Sequence, residues 1–97
     1  MRTAARTDAN HAEVVSAFKK LGCSVLQLYM VGKGCPDIAV SKNMRTVMVE
    51  IKDGAKTASA RALTKDEQKF HDGWQGIIVV VKDLGDVLNL VRGLEKI

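Results

Sequence analysis

The stretch GCPDIAVSKNMRTVMVEIKDG, residues 34–54, sets two apolar runs on either side of a polar turn, with an acid at the mouth of the first and Glu-Ile-Lys at the end of the second. DIAV and TVMVEIK are rich in β-branched residues and read as strands, and KNMR between them reads as a turn. Successive strand side chains project to opposite faces. Glu50 and Lys52 therefore share one face, ~7 Å apart at the standard rise, while Val49 and Ile51 take the other. Asp37 follows Pro36, whose fixed φ and missing N–H suit a strand entry. If the two strands pair as a hairpin, Asp37 and Glu50 converge.

Upstream, TDANHAEVVSAFKKLG places Val14, Ala17, Phe18 and Leu21 on one helical face, with Asp8 or Asn10 to cap the start and Gly22 to stop it. CSVLQLYMV alternates as a first strand, and Gly32 and Gly34 mark the tight connection after it. Downstream, DGAKTASARA is small and polar and reads as an exposed loop. A second helix spans residues 64–74, with Thr64 and Glu67 as a capping box and Leu63, Phe70 and Trp74 on its inner stripe. GIIVVV reads as a strand too apolar for a sheet edge. The last segment reads as a helix with Leu84, Val87, Leu88, Val91 and Leu94 inward. The order α-β-β-β-α-β-α predicts an α/β fold, a mixed sheet flanked by helices, with the last two strands joined by a right-handed parallel crossover.

The 97 residues, 46% of them hydrophobic, suit one folded domain over residues 1–97. Residues 1–6 read as a loose basic arm. The net charge of +4 and pI near 9.3 favour polyanionic partners, although an ordinary solvated basic surface has the same composition. Cys23 and Cys35 lack CxxC spacing, and no leading segment resembles a signal peptide or membrane span. This predicts an intracellular setting without membrane attachment and buried free thiols, in preference to a zinc site with His11 and His71. Gly32-Lys33-Gly34 lacks the third glycine and the helix of a dinucleotide loop. GxxxxGK(S/T) and G-x-S-x-G are missing too, so no nucleotide cofactor is expected.

Two converging carboxylates are hard ligands that suit Mg²⁺, and a lysine beside them can orient a water and stabilise charge developing on a phosphorane. The plainer alternative is a surface ion pair at Glu-x-Lys and a turn at Pro-Asp. Asp37-Ile-Ala-Val, Glu50-Ile-Lys52 and LTKDEQKFHDGW together resemble the virus-type replication and repair (VRR-NUC) group of PD-(D/E)xK nucleases over most of the chain. The resemblance implies a restriction-endonuclease-like fold and a Mg²⁺ site, with Mn²⁺ able to substitute. Asp37, Glu50 and the Ile51 carbonyl would hold the metal, with Lys52, Gln68 and Glu13 completing the catalytic set. Glu13 has a rival role as the acid of a capping box begun by Asn10. Gln68 shares a helix edge with Thr64 and His71, which permits a cleft position without requiring it.

Lys33, Lys42, Arg45, Lys56, Arg61 and Lys65 flank the motifs and are expected to contact phosphates without reading sequence. The activity implied is structure-selective DNA cleavage. Two symmetric cuts in a four-way (Holliday) junction need a twofold homodimer. A flap or nicking nuclease and an inactive DNA-binding module are the alternatives. The resemblance also implies a phage protein acting in the cytoplasm of a bacterial host.

Overall fold

A computed structural model describes residues 7–96; the basic arm expected over residues 1–6 lies outside them. The hairpin is the centre of the fold. β2 (Ile38–Lys42) and β3 (Arg45–Ile51) pair antiparallel, from Lys42 opposite Arg45 to Ile38 opposite Val49. The two residues between them, Asn43 and Met44, both take positive φ, 55° and 64°. That is the twist a two-residue turn needs to match the flanking strands. Val47, Val49 and Ile51 alternate onto the buried face, as the sequence pattern predicts.

β1 (Ser24–Gln27) adds antiparallel to β2, and β4 (Ile78–Val81) adds parallel to β3, giving a four-stranded mixed sheet in the order β1-β2-β3-β4. α1 (His11–Lys20) and α4 (Leu84–Glu95) pack together on one face. Val14, Val15 and Phe18 of α1 and Val87, Val91 and Leu94 of α4 meet Ile38, Val40, Val47, Val49, Ile51 and Val81 there, forming the core. Among the described residues, no helix is long and apolar enough to cross a membrane.

Several expectations change. The first strand is four residues long; Leu28 N–H still donates to the Asp37 carbonyl at 2.7 Å, and the chain then turns, with Val31 N–H donating to the Leu28 carbonyl. The polar segment after β3 contains a short helix, α2 (Ala58–Arg61), capped by Thr57. The apolar β4 is an edge strand after all. It buries Val81 and packs Val79 against the core, but Ile77 and Val80 remain 65% and 44% exposed. In α4, Leu84 and Leu88 face outward, and Leu90 packs against the core beside the three buried residues.

α3 (Lys65–Gly73) begins with the full capping box: Thr64 accepts from Glu67 N–H, and Glu67 accepts from Thr64 N–H. Its expected apolar stripe is less buried than predicted. Phe70 and Trp74 stack on each other at 5.5 Å, with Trp74 46% exposed, and Glu67 and His71 are the residues turned toward the sheet. The loop before β2 is pressed against this helix. A Cβ on Gly34, at φ 80°, would stand 2.2 Å from the Asp66 carbonyl oxygen.

Asn10 makes no side-chain cap for α1. Its Nδ2 instead donates to the carbonyls of Lys52 (3.0 Å) and Lys82 (3.1 Å), tying the helix to the residues that follow β3 and β4. The capping-box role weighed for Glu13 therefore does not form.

Candidate active site

The open end of the hairpin carries the site. Asp37, Glu50, Ile51 and Lys52 line one cleft of about 380 Å³ together with Thr7, Asp8, Lys56 and Glu67. The geometry follows from where the strand ladder fails. Carried on two residues, the β2–β3 register brings Pro36 opposite Ile51, and Pro36 has no N–H for the Ile51 carbonyl. The Ile51 N–H donates instead to Asp37 Oδ2 at 2.7 Å. The pairing thus ends at the proline, and the Asp37 side chain reaches across to β3 by accepting the Ile51 N–H.

Glu50 projects from the opposite face of β3 to Val49 and Ile51 and is 2% exposed. Burial pushes its carboxyl up first. Asp37, within hydrogen-bonding reach, and the charge of Glu67 add to the effect while Lys52 opposes it, and the result is a pKa of about 10. In the absence of a cation Glu50 therefore holds a proton at neutral pH. Its Oε1 is buried with no hydrogen-bond partner, and His71 Nε2, in the same condition, stands 3.6 Å away.

Lys52 is nearly buried and gives one hydrogen bond to Glu67 Oε1 at 2.7 Å. Burial alone would lower the lysine, but the Glu67 bond and the charges of Glu67, Glu50 and Asp8 outweigh it and raise its pKa. Lys52 stays an ammonium. Glu67 is likewise pushed up by burial, but bonds from Lys52 and the Thr64 N–H hold it below the usual carboxylate range. One carboxylate thus caps α3 and anchors the lysine. Cys35 sits close by, with its thiol pushed up by burial and by Glu50 and Asp37, so it stays protonated.

A hard divalent cation fits these donors. The cleft holds the carboxyl groups of Glu50 and Asp37 side by side, and the Ile51 carbonyl lies opposite a proline that has no N–H to give it. Among the described residues no group of three or more His, Cys, Asp or Glu side chains forms a ready-made metal cage. The sparser set of two carboxylates and one carbonyl suits Mg²⁺, which keeps several of its waters.

The other expected residues are distributed differently. Gln68 is exposed, and its Nε2 donates to Asp72 at 2.8 Å on the outer side of α3. Glu13 is exposed and lines a separate depression with Asn10, Asp53 and Lys82. Of the six cations, Lys56 lines the cleft and approaches Asp8 at 3.7 Å. Arg61 donates to the Lys56 carbonyl, Lys65 opens α3, and Lys33 lies beside Asp66, Lys69 and Phe70. Lys42 and Arg45 close the hairpin at its far end, about 17 Å along the strand from Asp37. Lys42 is held there by the Leu21 carbonyl (2.6 Å) and Glu95 (2.7 Å), and Arg45 reaches the Gly93 carbonyl.

Sequence reasoning missed Asp8, Glu67 and His71 as residues of the site. The signal for Glu67 was present, since a capping box fixes its carboxylate at the helix start, but the cap alone accounted for it. Compared with protein-family models, with curated proteins and with solved structures, the chain has no match.

Proposed function

We propose that the chain is a Mg²⁺-dependent endonuclease that hydrolyses phosphodiester bonds in DNA. The observation that carries this reading is the meeting of Asp37, Glu50, Ile51 and Lys52 in one cleft at a strand end. Asp37, Glu50 and the Ile51 carbonyl would hold the ion. Once bound, it would neutralise phosphoryl charge and make a water a stronger nucleophile. Lys52 spends one of its three donors on Glu67, leaving two for a phosphate oxygen and the attacking water. Because its pKa is raised, Lys52 acts as a fixed positive charge toward the phosphorane and not as the base.

Branched DNA is the substrate that the VRR-NUC resemblance suggests, with the resemblance also supplying the restriction-endonuclease-like description of the sheet. One such cleft per chain makes two symmetric cuts in a four-way junction the work of a homodimer. The test is incubation with Mg²⁺ or Mn²⁺ and labelled four-way junction, flap, nicked, single-stranded and linear duplex DNA, with Asp37→Ala beside the wild type. Paired cuts confined to the junction and lost in the variant are expected. Cleavage of other forms keeps the nuclease and discards the junction. Binding without cleavage under each metal makes the chain an inactive DNA-binding module.

A further inference from the structure

A second depression, of about 590 Å³, runs along α1 between the helix and β1, lined by Thr7, His11, Lys19, Lys20, Gln27 and Tyr29 among others. Thr7 also lines the Asp37–Glu50 cleft, so the two depressions adjoin at the start of α1. From there the groove follows the ten residues of the helix, about 15 Å at the helical rise. It ends at two exposed lysines. Among the described residues no carboxylate lines it, in contrast to the four that line the cleft.

The groove is braced from beneath. His11 is 7% exposed, and its Nε2 meets Gln27 Oε1 at 2.8 Å. The same ring contacts the Tyr29 ring edgewise, with centroids 5.4 Å apart at 74°. One buried histidine therefore fixes both an amide and an aromatic ring in the groove wall. Ala12 and Val15 contribute an apolar surface, and Lys19 and Lys20 place positive charge at the end. A groove with an aromatic ring at one end and paired cations at the other has the chemistry of single-strand binding, in which bases stack and phosphates along the strand are neutralised. A duplex keeps its bases paired inside and offers none to Tyr29.

We propose that this groove binds a single strand of DNA, with a base against Tyr29 and phosphates on Lys19 and Lys20, running into the Asp37–Glu50 cleft. Only the last clause rests on the nuclease reading. Under that reading the preferred substrate carries an unpaired arm next to the scissile bond.

The experiment is fluorescence anisotropy of a labelled oligothymidylate in metal-free buffer, across a range of salt concentrations. The proteins compared are wild type, Lys19→Ala/Lys20→Ala, Tyr29→Leu and the charge-matched control Arg92→Ala/Lys96→Ala, two exposed residues in the last turn and at the C-cap of α4. Circular dichroism melting confirms that each is folded. The lysine pair is expected to weaken binding at least tenfold and to reduce the salt slope by about 1.4, the value for two phosphate contacts on a single strand. Tyr29→Leu is expected to weaken it about five- to a hundredfold through lost stacking, and the control by less than twofold. Equal losses in both double variants, or no binding by the wild type, would overturn the proposal. A protein with these sensitivities that cuts no DNA keeps the groove and removes the nuclease reading. Cleavage by a wild type whose strand binding ignores Lys19 and Lys20 does the reverse.

Discussion

Glu50 Oε1 and His71 Nε2 face each other across 3.6 Å, both buried and neither with a hydrogen-bond partner. The gap is too wide for a hydrogen bond, yet a few tenths of an ångström would close it. With the proton on Nε2, the ring is placed to donate to Glu50 as the carboxylate ionises, steadying its other oxygen for a cation. Groups placed this way behind a ligand usually contribute ten- to a hundredfold in metal affinity. His71→Ala should weaken Mn²⁺ binding by about that factor in calorimetry, and His71→Gln, which keeps an amide donor, should recover most of it. Mn²⁺ affinity unchanged in a folded His71→Ala would remove this role.

Glu50 also sets a pH dependence of stability. Its carboxyl is raised from 4.5 to about 10 by burial, then by Asp37 and Glu67, against Lys52, so above pH 4.5 the folded chain holds a proton that the unfolded chain releases. The stability linked to Glu50 is therefore complete below pH 4.5 and is lost progressively as pH rises toward 10. Glu50→Gln has no such loss. In metal-free buffer its melting temperature should exceed that of the wild type at pH 8 and converge with it at low pH. Mg²⁺ should raise the wild-type melting temperature at pH 8 and leave the variant unmoved. Parallel curves for the two proteins would contradict this assignment.

Glu67→Ala removes the acceptor of the Thr64 N–H, one half of the capping box, and the partner of Lys52 in one change, while Thr64 Oγ1 still caps the backbone N–H of residue 67. Loss of the two bonds to its carboxylate should cost about 1–3 kcal/mol in denaturant unfolding. Under the nuclease reading, cleavage should also fall tenfold or more, because Lys52 is no longer held beside Glu50. Gln68→Ala, one residue along, loses only the exposed contact with Asp72 and should stay within about 0.5 kcal/mol of wild type, with cleavage unaltered. An active Glu67→Ala beside an inactive Gln68→Ala would restore the original assignment of Gln68.

The hairpin, the approach of Asp37 to β3 and the α3 capping box were legible in the sequence because each rests on local chemistry: β alternation, the missing N–H of Pro36, and the spacing of Thr64 and Glu67. The edge position of β4 was not. An apolar run states how much surface a strand needs to bury, but which strands flank it depends on pairing partners far along the chain. The inward face of α3 was misread for a related reason. Apolar periodicity identifies an inner stripe when the surface beneath is apolar, but here that surface presents Glu50, and the helix answers with Glu67 and His71. Lys42 and Arg45 flank the motifs in sequence, whereas the strand carries them to the end of the hairpin away from Asp37.

Gly34→Ala tests the seat of the loop that precedes Asp37. At φ 80° an alanine costs about 1–3 kcal/mol in backbone strain alone, and its Cβ would also collide with the Asp66 backbone, which cannot rotate aside as a side chain could. The loop and the start of α3 must then separate. Reduced stability together with weakened Mn²⁺ binding is expected in calorimetry; full Mn²⁺ affinity would mean that the loop position does not govern the cleft.

Lys42→Ala should act on the fold alone. The residue links the Leu21 carbonyl to Glu95 at the end of the sheet away from the cleft, so its loss should cost about 1 kcal/mol. DNA affinity should remain within twofold, and a tenfold loss in a filter-binding assay would return Lys42 to the nucleic-acid surface.

Asn10 gives the chain a late-closing latch. Its two hydrogen bonds reach across 42 and 72 residues, and the second acceptor takes its place only when the parallel crossover has brought β4 alongside β3. Bringing together segments so far apart in sequence carries a loop-closure cost that the local β2–β3 hairpin avoids. The Asn10–Lys82 bond thus forms only after β4 is in place, and it ties the first third of the molecule to the last.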